Sequence, residues 1–430
     1  MNKLDRTLTD AASRRAEEPL VSVNGRTYAW PKHPTVVICF DGCDPAYLEA
    51  ASAVGAIPAI DRMRREGFAA SALAAMPTFT NPNNVSIVCG VSPAVHGVSG
   101  NFYLDRDTGA EIMMVDATPV RAPTILSAFS QGGARVAAVT AKDKLRKALG
   151  QGLDGIAFSA EKADEATDAE NGISEIGALV GRGAPDQYSA DLSLFVLDSG
   201  IRLLETCRPD LMYLSLSDYV QHKHAPAAPE AIAFMRAVDE RLARMIALGA
   251  RLGIVADHGM SDMAQPDGEP NVVYLGDLLD AAFGPGAARV ICPITDPFVR
   301  HHGALGGFVR VHLQQTEPSV AEVLQFIQKI PGVGMAATRE EACLRFELPE
   351  DREGDIAVVA RSGVALGAHA SDHDISQLSG ERLRSHGGFA EQVVPFILSH
   401  PLKAGRVEGG AGRPLRNYDI FSVLLNEVKA

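Results

Sequence analysis

The chain has 430 residues, 46% of them hydrophobic, and its 40 basic against 53 acidic side chains give a formal net charge of −13. That length suits one large α/β unit carrying an inserted second region, and the apolar content supplies a core that folds without disulfides or structural metal. The negative balance argues against nucleic acid and anionic membranes as partners, and any anionic substrate must meet a locally positive site.

Up to about residue 34 the sequence is polar, apart from a short strand-like stretch at Leu20–Val23. The opening MNKLDRTLTDAASRRAEEPL lacks the apolar centre of a secretory signal. No apolar run approaches the roughly 20 residues of a membrane span, so the cytoplasm is the expected compartment. From there short apolar runs alternate with helical patterns. Strands are predicted at Thr35–Phe40, Ala69–Met76, Arg135–Val139, Gly155–Phe158, Leu211–Leu216, Arg251–Ala256 and Val393–Leu398, and helices at Ala190–Leu204 and Pro229–Leu248. Strands alternating with helices predict a largely parallel α/β sheet covered on both faces. The stretch from about 262 to 372 differs: it is rich in Gly, Ala and Pro, with a strand-like Gly307–Leu313 and a helix-like Ser319–Ile330. We read it as an inserted α+β cap over 265–370, leaving 1–264 and 371–430 as the core. None of the six cysteines forms a CxxC pair, and Cys39 and Cys89 read as buried free thiols.

In an open parallel sheet, ligands bind beyond the C-terminal strand ends. Asp41 follows the first strand, Asp218 and His222 the strand at 211–216, and Asp257 and His258 the strand at 251–256; His386 precedes the last. Asp and His together suit Zn²⁺, with Mn²⁺ or Fe²⁺ as substitutes. Asp218 and His222 are four apart, so one helical turn puts them on one face. His33, His301, His302, His312, His369, His373 and His400 lie outside this pattern and read as solvated or structural. Met76–Ser86 follows a strand and opens a helix, with Pro82 in the first turn. Thr80 therefore sits where backbone N–H groups and the helix dipole favour an anion, either as a helix cap or as a nucleophile that metal coordination activates. Thr78 is the rival nucleophile.

FDG at 40–42, the TNPNN turn, VCG-x₅-HGVSGN ending at Asn101, D-x₃-H, ADHGM and SHGG resemble the alkaline phosphatase superfamily. The nearest branch is the nucleotide pyrophosphatase/phosphodiesterase type, and within it the finer pattern is similar to the phosphonoacetate hydrolases. The resemblance runs from about Val36 to Leu398. It implies an alkaline-phosphatase-like three-layer sandwich with a mostly parallel central sheet. It also implies one zinc on Asp218, His222 and His386 and another on Asp41, Thr80, Asp257 and His258, with Thr80 as nucleophile and Asn101 donating to a phosphoryl oxygen. No counterpart of a third, magnesium site is found, which argues against a plain monoesterase.

Two zinc ions against Asp41, Asp218 and Asp257 leave a site that ionised Thr80 brings to neutrality. That suits a diester and is poor for phosphonoacetate, which needs extra cations at its carboxylate. Lys142 and Lys144, after the strand at 135–139, supply them if the loop is not merely solvated; the resemblance implies the same role. His224, two beyond His222, is a candidate for the pocket wall. The expected function is zinc-dependent cleavage of the P–C bond of this small anionic phosphonate, giving acetate and phosphate through a phospho-threonine. The alternatives are a phosphodiesterase or nucleotide pyrophosphatase on the same scaffold, and a metal-binding protein without turnover. A homodimer stays open.

Overall fold

A computed structural model describes residues 20–295, 302–314, 318–378, 380–403 and 413–429. The main strands in chain order are β1 (Thr35–Cys39), β2 (Phe68–Leu73), β3 (Val136–Thr140), β4 (Ile156–Ser159), β5 (Leu211–Ser215), β6 (Arg251–Val255), β7 (Ala288–Ile291), β8 (Phe308–Leu313), β9 (Val333–Thr338), β10 (Ile356–Ala360) and β11 (Val393–Leu398). The helices that matter below are α1 (Thr80–Cys89), α2 (Asp143–Leu149), α3 (Ala190–Thr206), α4 (Tyr219–Lys223) and α5 (Pro229–Ala247).

The central sheet has seven strands in the order β2-β11-β6-β1-β5-β3-β4. Pairings from β6 to β4 are parallel, and β11 runs antiparallel to both its neighbours. Every residue of β1, β3 and β5 is buried, as expected for apolar strands covered on both faces. Leu214 of β5 packs against Gly200 of α3, whereas Gly253, one register position off on β6, faces Ile420 and Leu424. Helices thus lie on both faces. Pro395 interrupts the apolar run of β11, but β6 pairs only with residues beyond it, so its missing N–H costs no bond there.

A second, antiparallel sheet has the order β7-β8-β10-β9. One of the helices packed on it is Val320–Ile327, started by a Ser319/Glu322 capping box. That helix ends three residues before the pattern predicts, because its C-cap is Gln328 and a turn into Pro331-Gly332 follows. The apolar cluster under this sheet includes Met76 and Phe79, which lead into α1. Fully buried Arg310 of β8 donates from Nε to Glu353 Oε2 at 2.7 Å and from Nη2 to Ser99 O at 2.8 Å. Arg352 Nη1 donates to Gly97 O at 2.6 Å. Two arginines of the second sheet region therefore grip the turn that precedes Asn101. Among the described residues no helix is long and apolar enough to cross a membrane. All six cysteines are free, and Cys39 and Cys89 are buried.

His312 on β8 is 3% exposed, and burial together with the nearby Arg310 pushes its pKa down to about 4. The unfolded chain therefore takes up this proton first as pH falls below about 6.5, and the fold loses stability down to the folded-state value. That is a loss of roughly 3 kcal/mol across the window. His312→Leu is expected to flatten the fall in Tm between neutral and mildly acid pH. Identical slopes for the two proteins would remove His312 from acid sensitivity.

Candidate active site

The strand ends of the parallel set converge. Asp41 follows β1, Lys142 follows β3, Asp218 follows β5 as the N-cap of α4, and Asp257-His258 follow β6. His386 arrives from the segment before β11. Asp41, Asp218, Asp257, His222, His258 and His386 are each at most 5% exposed. Thr80 is the first residue of α1, with Phe79 as its N-cap, so its hydroxyl is not the cap and is available to the site. Thr78, the rival, is spent: its Oγ1 donates to Gly388 O and accepts from Gly387 N, both at 3.0 Å. Gly387 has φ +126°, and a Cβ there would meet the Phe79 ring at 2.5 Å. The SHGG motif needs its first glycine for that reason.

All three histidines are held in one way. His222 Nδ1 contacts Arg384 O at 2.7 Å, His258 Nδ1 contacts Gly259 O at 2.8 Å, and His386 Nδ1 contacts Thr78 O at 2.7 Å. A carbonyl only accepts, so each Nδ1 carries the proton and each Nε2 presents a lone pair. Those lone pairs face oxygen ligands: His222 Nε2 is 2.8 Å from Asp218 Oδ2, and His258 Nε2 is 3.2 Å from Thr80 Oγ1 and 3.3 Å from Asp41 Oδ1. Two overlapping groups have ligand atoms close enough to share an ion: Asp218, His258 and His386, and Asp41, Asp257 and His258. His258 joins both because its ring stacks on that of His386 at 3.5 Å.

The electrostatics fit a cation. Burial, then Asp218 and Asp257, push the Asp41 carboxyl well above its ordinary range. Burial opposes the charge of Asp218 too, but a proton on His222 Nε2, 2.8 Å from Oδ2, holds it well below the usual carboxylate range, and a divalent metal takes the place of that proton. Burial, His258 and His222 hold His386 neutral. Buried carboxylates that repel one another, beside three imidazoles whose Nε2 atoms turn inward, are a donor set for divalent metal.

These groups border a narrow cleft whose wall includes Asp41, Thr80, Asn81, Asn101, Lys142, Lys144, Asp218, His222, Ile294, His302 and His386. Asp257 and His258 lie behind that wall. Burial and neighbouring Lys142 lower Lys144 to about 7. Asn101 donates one Nδ2 hydrogen to Ile294 O at 3.3 Å, which leaves the second for the cleft. His224 does not reach the cleft: α4 ends at Lys223, and the His224 ring turns to within 3.8 Å of Glu230.

Several contributors escape sequence reading. Asn84 Nδ2 donates to Asp257 Oδ2 at 3.0 Å while its Oδ1 accepts from Tyr213 and Ser215. Buried Glu391 joins the two histidine loops, accepting from Gly388 N and Ser261 Oγ. Arg384 ties α4 down through Gln221 O. Asn84 closes the TNPNN turn already singled out, but nothing in that turn marks it as a partner of Asp257. His302, read as solvated or structural, is 3% exposed and faces the cleft.

The chain is similar over its length to proteins of known structure. The phosphonoacetate hydrolase of Sinorhizobium meliloti 1021, in complex with phosphonoformate, matches at 48% identity and TM-score 0.91, covering 95% of this chain and 99% of that one. Its complex with phosphonoacetate matches at 47% identity and TM-score 0.89, with the same coverage. Murine ectonucleotide pyrophosphatase/phosphodiesterase 5 shares the fold at 17% identity and TM-score 0.61, covering 93% of this chain and 96% of that one. The family model for type I phosphodiesterase / nucleotide pyrophosphatase matches residues 35–388, a span that contains every strand-end ligand above, and the chain belongs to that family of hydrolases.

Proposed function

We propose that this chain hydrolyses the P–C bond of phosphonoacetate, with two zinc ions as cofactors and Thr80 as nucleophile. The observation that carries the reading is the pairing, in one cleft, of the Asp/His cluster around Thr80 with Lys142 and Lys144. It is supported by the likeness to a phosphonoacetate hydrolase at 48% identity.

Asp218, His222 and His386 would hold one zinc, and Asp41, Thr80, Asp257 and His258 the other. Bound zinc supplies Lewis-acid charge that lowers the pKa of a hydroxyl and offsets a phosphonate's anionic charge. The Thr80 oxygen attacks phosphorus as the P–C bond breaks. The departing electron pair passes into the carboxylate as an enediolate, and the carbon takes a proton from water to give acetate. Lys142 and Lys144 face the charge that grows on that carboxylate, and contacts that strengthen in this way raise rate. Asn101 donates to a non-bridging phosphoryl oxygen. Water then cleaves phospho-Thr80 to release phosphate and restore the hydroxyl. In this reading residues 1–264 and 371–430 form the catalytic core, and 265–370 form the cap.

The test is purified zinc-loaded protein assayed with phosphonoacetate and with bis-p-nitrophenyl phosphate. Acetate release supports the reading. Diester turnover without acetate makes the chain a phosphodiesterase instead, a function the family match alone favours. Lys142→Ala is expected to lower kcat/KM for phosphonoacetate relative to the diester by about tenfold or more. Equal losses on both substrates would take the carboxylate away from Lys142.

A further inference from the structure

We propose that His302 is a specificity-determining contact in this cleft, whose ring N–H receives the substrate carboxylate beside Lys142 and Lys144. The inference rests on the phosphonoacetate reading and adds to it a residue from between β7 and β8, outside the central sheet.

His302 lines the cleft although it is only 3% exposed. Its ring lies on the face of His222, with centroids 5.2 Å apart and planes 23° from parallel. His222 is engaged at its edge, through Nδ1 to Arg384 O and Nε2 to Asp218. His302 therefore approaches the face that carries no lone pair, and neither ligand group includes it. It is a wall of the site rather than a member of the metal cluster.

Two physical points turn that wall into a recognition element. Imidazole donors lie in the ring plane, and every protonation state of histidine keeps at least one N–H. Stacking on His222 fixes the plane, so an N–H of His302 runs alongside His222 and not into it. Position supplies the second point. Thr80 Oγ1 sits at the His258 end, 3.2 Å from Nε2. Displacement at phosphorus is in line, so the leaving group departs away from Thr80, toward the Asp218/His222 end that His302 covers. The carboxylate travels with that leaving group. Lysine ammoniums attract it as point charges on flexible stems; a stacked imidazole adds a fixed direction. A substrate without a carboxylate gains nothing from it.

His302→Phe keeps the stack and removes the donor. For this variant kcat/KM on phosphonoacetate is expected to fall about tenfold or more, while the inhibition constant of inorganic phosphate and the zinc content stay at wild-type values. His302→Gln, which keeps an N–H, is expected to recover most of the loss. Unchanged kcat/KM in His302→Phe overturns the assignment, and so does a matching loss of phosphate affinity or of zinc. Acetate release by the wild type tests the parent reading separately. If the wild type releases none, both fall; if it does and His302→Phe equals it, only His302 falls.

Discussion

Thr80→Ala is expected to lower kcat for acetate release by at least about 10³-fold, the scale of losing a nucleophile that acts with its activating groups as one unit. The fold gives a reason to expect no confounding collapse. Thr80 is the first residue of α1 and Phe79 is the cap, so the side chain caps nothing. The bond from Asn84 Nδ2 reaches the Thr80 backbone carbonyl, which alanine keeps. Tm should then stay within about 0.5 kcal/mol of stability, and zinc content should hold through the remaining ligands. Thr80→Ser, which retains a hydroxyl, should retain measurable turnover. Acid-quenched wild-type enzyme should yield a phosphopeptide spanning Thr80 that the alanine variant lacks. Turnover close to wild type in Thr80→Ala would move the nucleophile elsewhere, and Thr78 is poorly placed to inherit it because both its hydrogen-bonding roles are filled.

Removing metal with a chelator should abolish turnover, and zinc should restore it at about two equivalents per chain. The same treatment should lower Tm. Ligands that bind only the folded state stabilise it by about 4 kcal/mol at a thousandfold excess over Kd. The stripped protein also keeps three carboxylates buried together, with Asp41 forced above its ordinary range by burial, Asp218 and Asp257. Full activity after exhaustive chelation, with metal analysis showing none bound, would remove zinc from the mechanism.

The central sheet and the gathering of Asp and His side chains at its edge were largely legible in the sequence. Covered parallel strands must be continuously apolar, so Thr35–Cys39, Leu211–Ser215 and Arg251–Val255 stand out, and chemistry gathers where such strands stop. Spacing misled at His224. The interval from Asp218 to His222 fits a helical turn, but α4 ends one residue before His224. Supporting partners were hidden for another reason. Arg384 reaches Gln221, and Arg310 reaches Ser99, across 163 and 211 residues of chain. Pairs that distant leave no local pattern, and their acceptors are backbone carbonyls, which every residue has. His302 belongs with them: only the folded chain brings it to His222.

The position of β11 has a consequence for synthesis. Among the described strands it comes last in the chain, yet it sits between β2 and β6. A chain emerging from the ribosome can lay down β6, β1, β5, β3 and β4, but β2 has no partner in the central sheet and β6 keeps one edge open until residues 393–398 appear. His386 arrives only shortly before. The Asp/His cluster is therefore completed at nearly the same moment as the sheet, and a chain ending before residue 386 would carry neither the full cluster nor a paired β2. Open strand edges are templates for aggregation, so prematurely terminated chains should be insoluble rather than partly active.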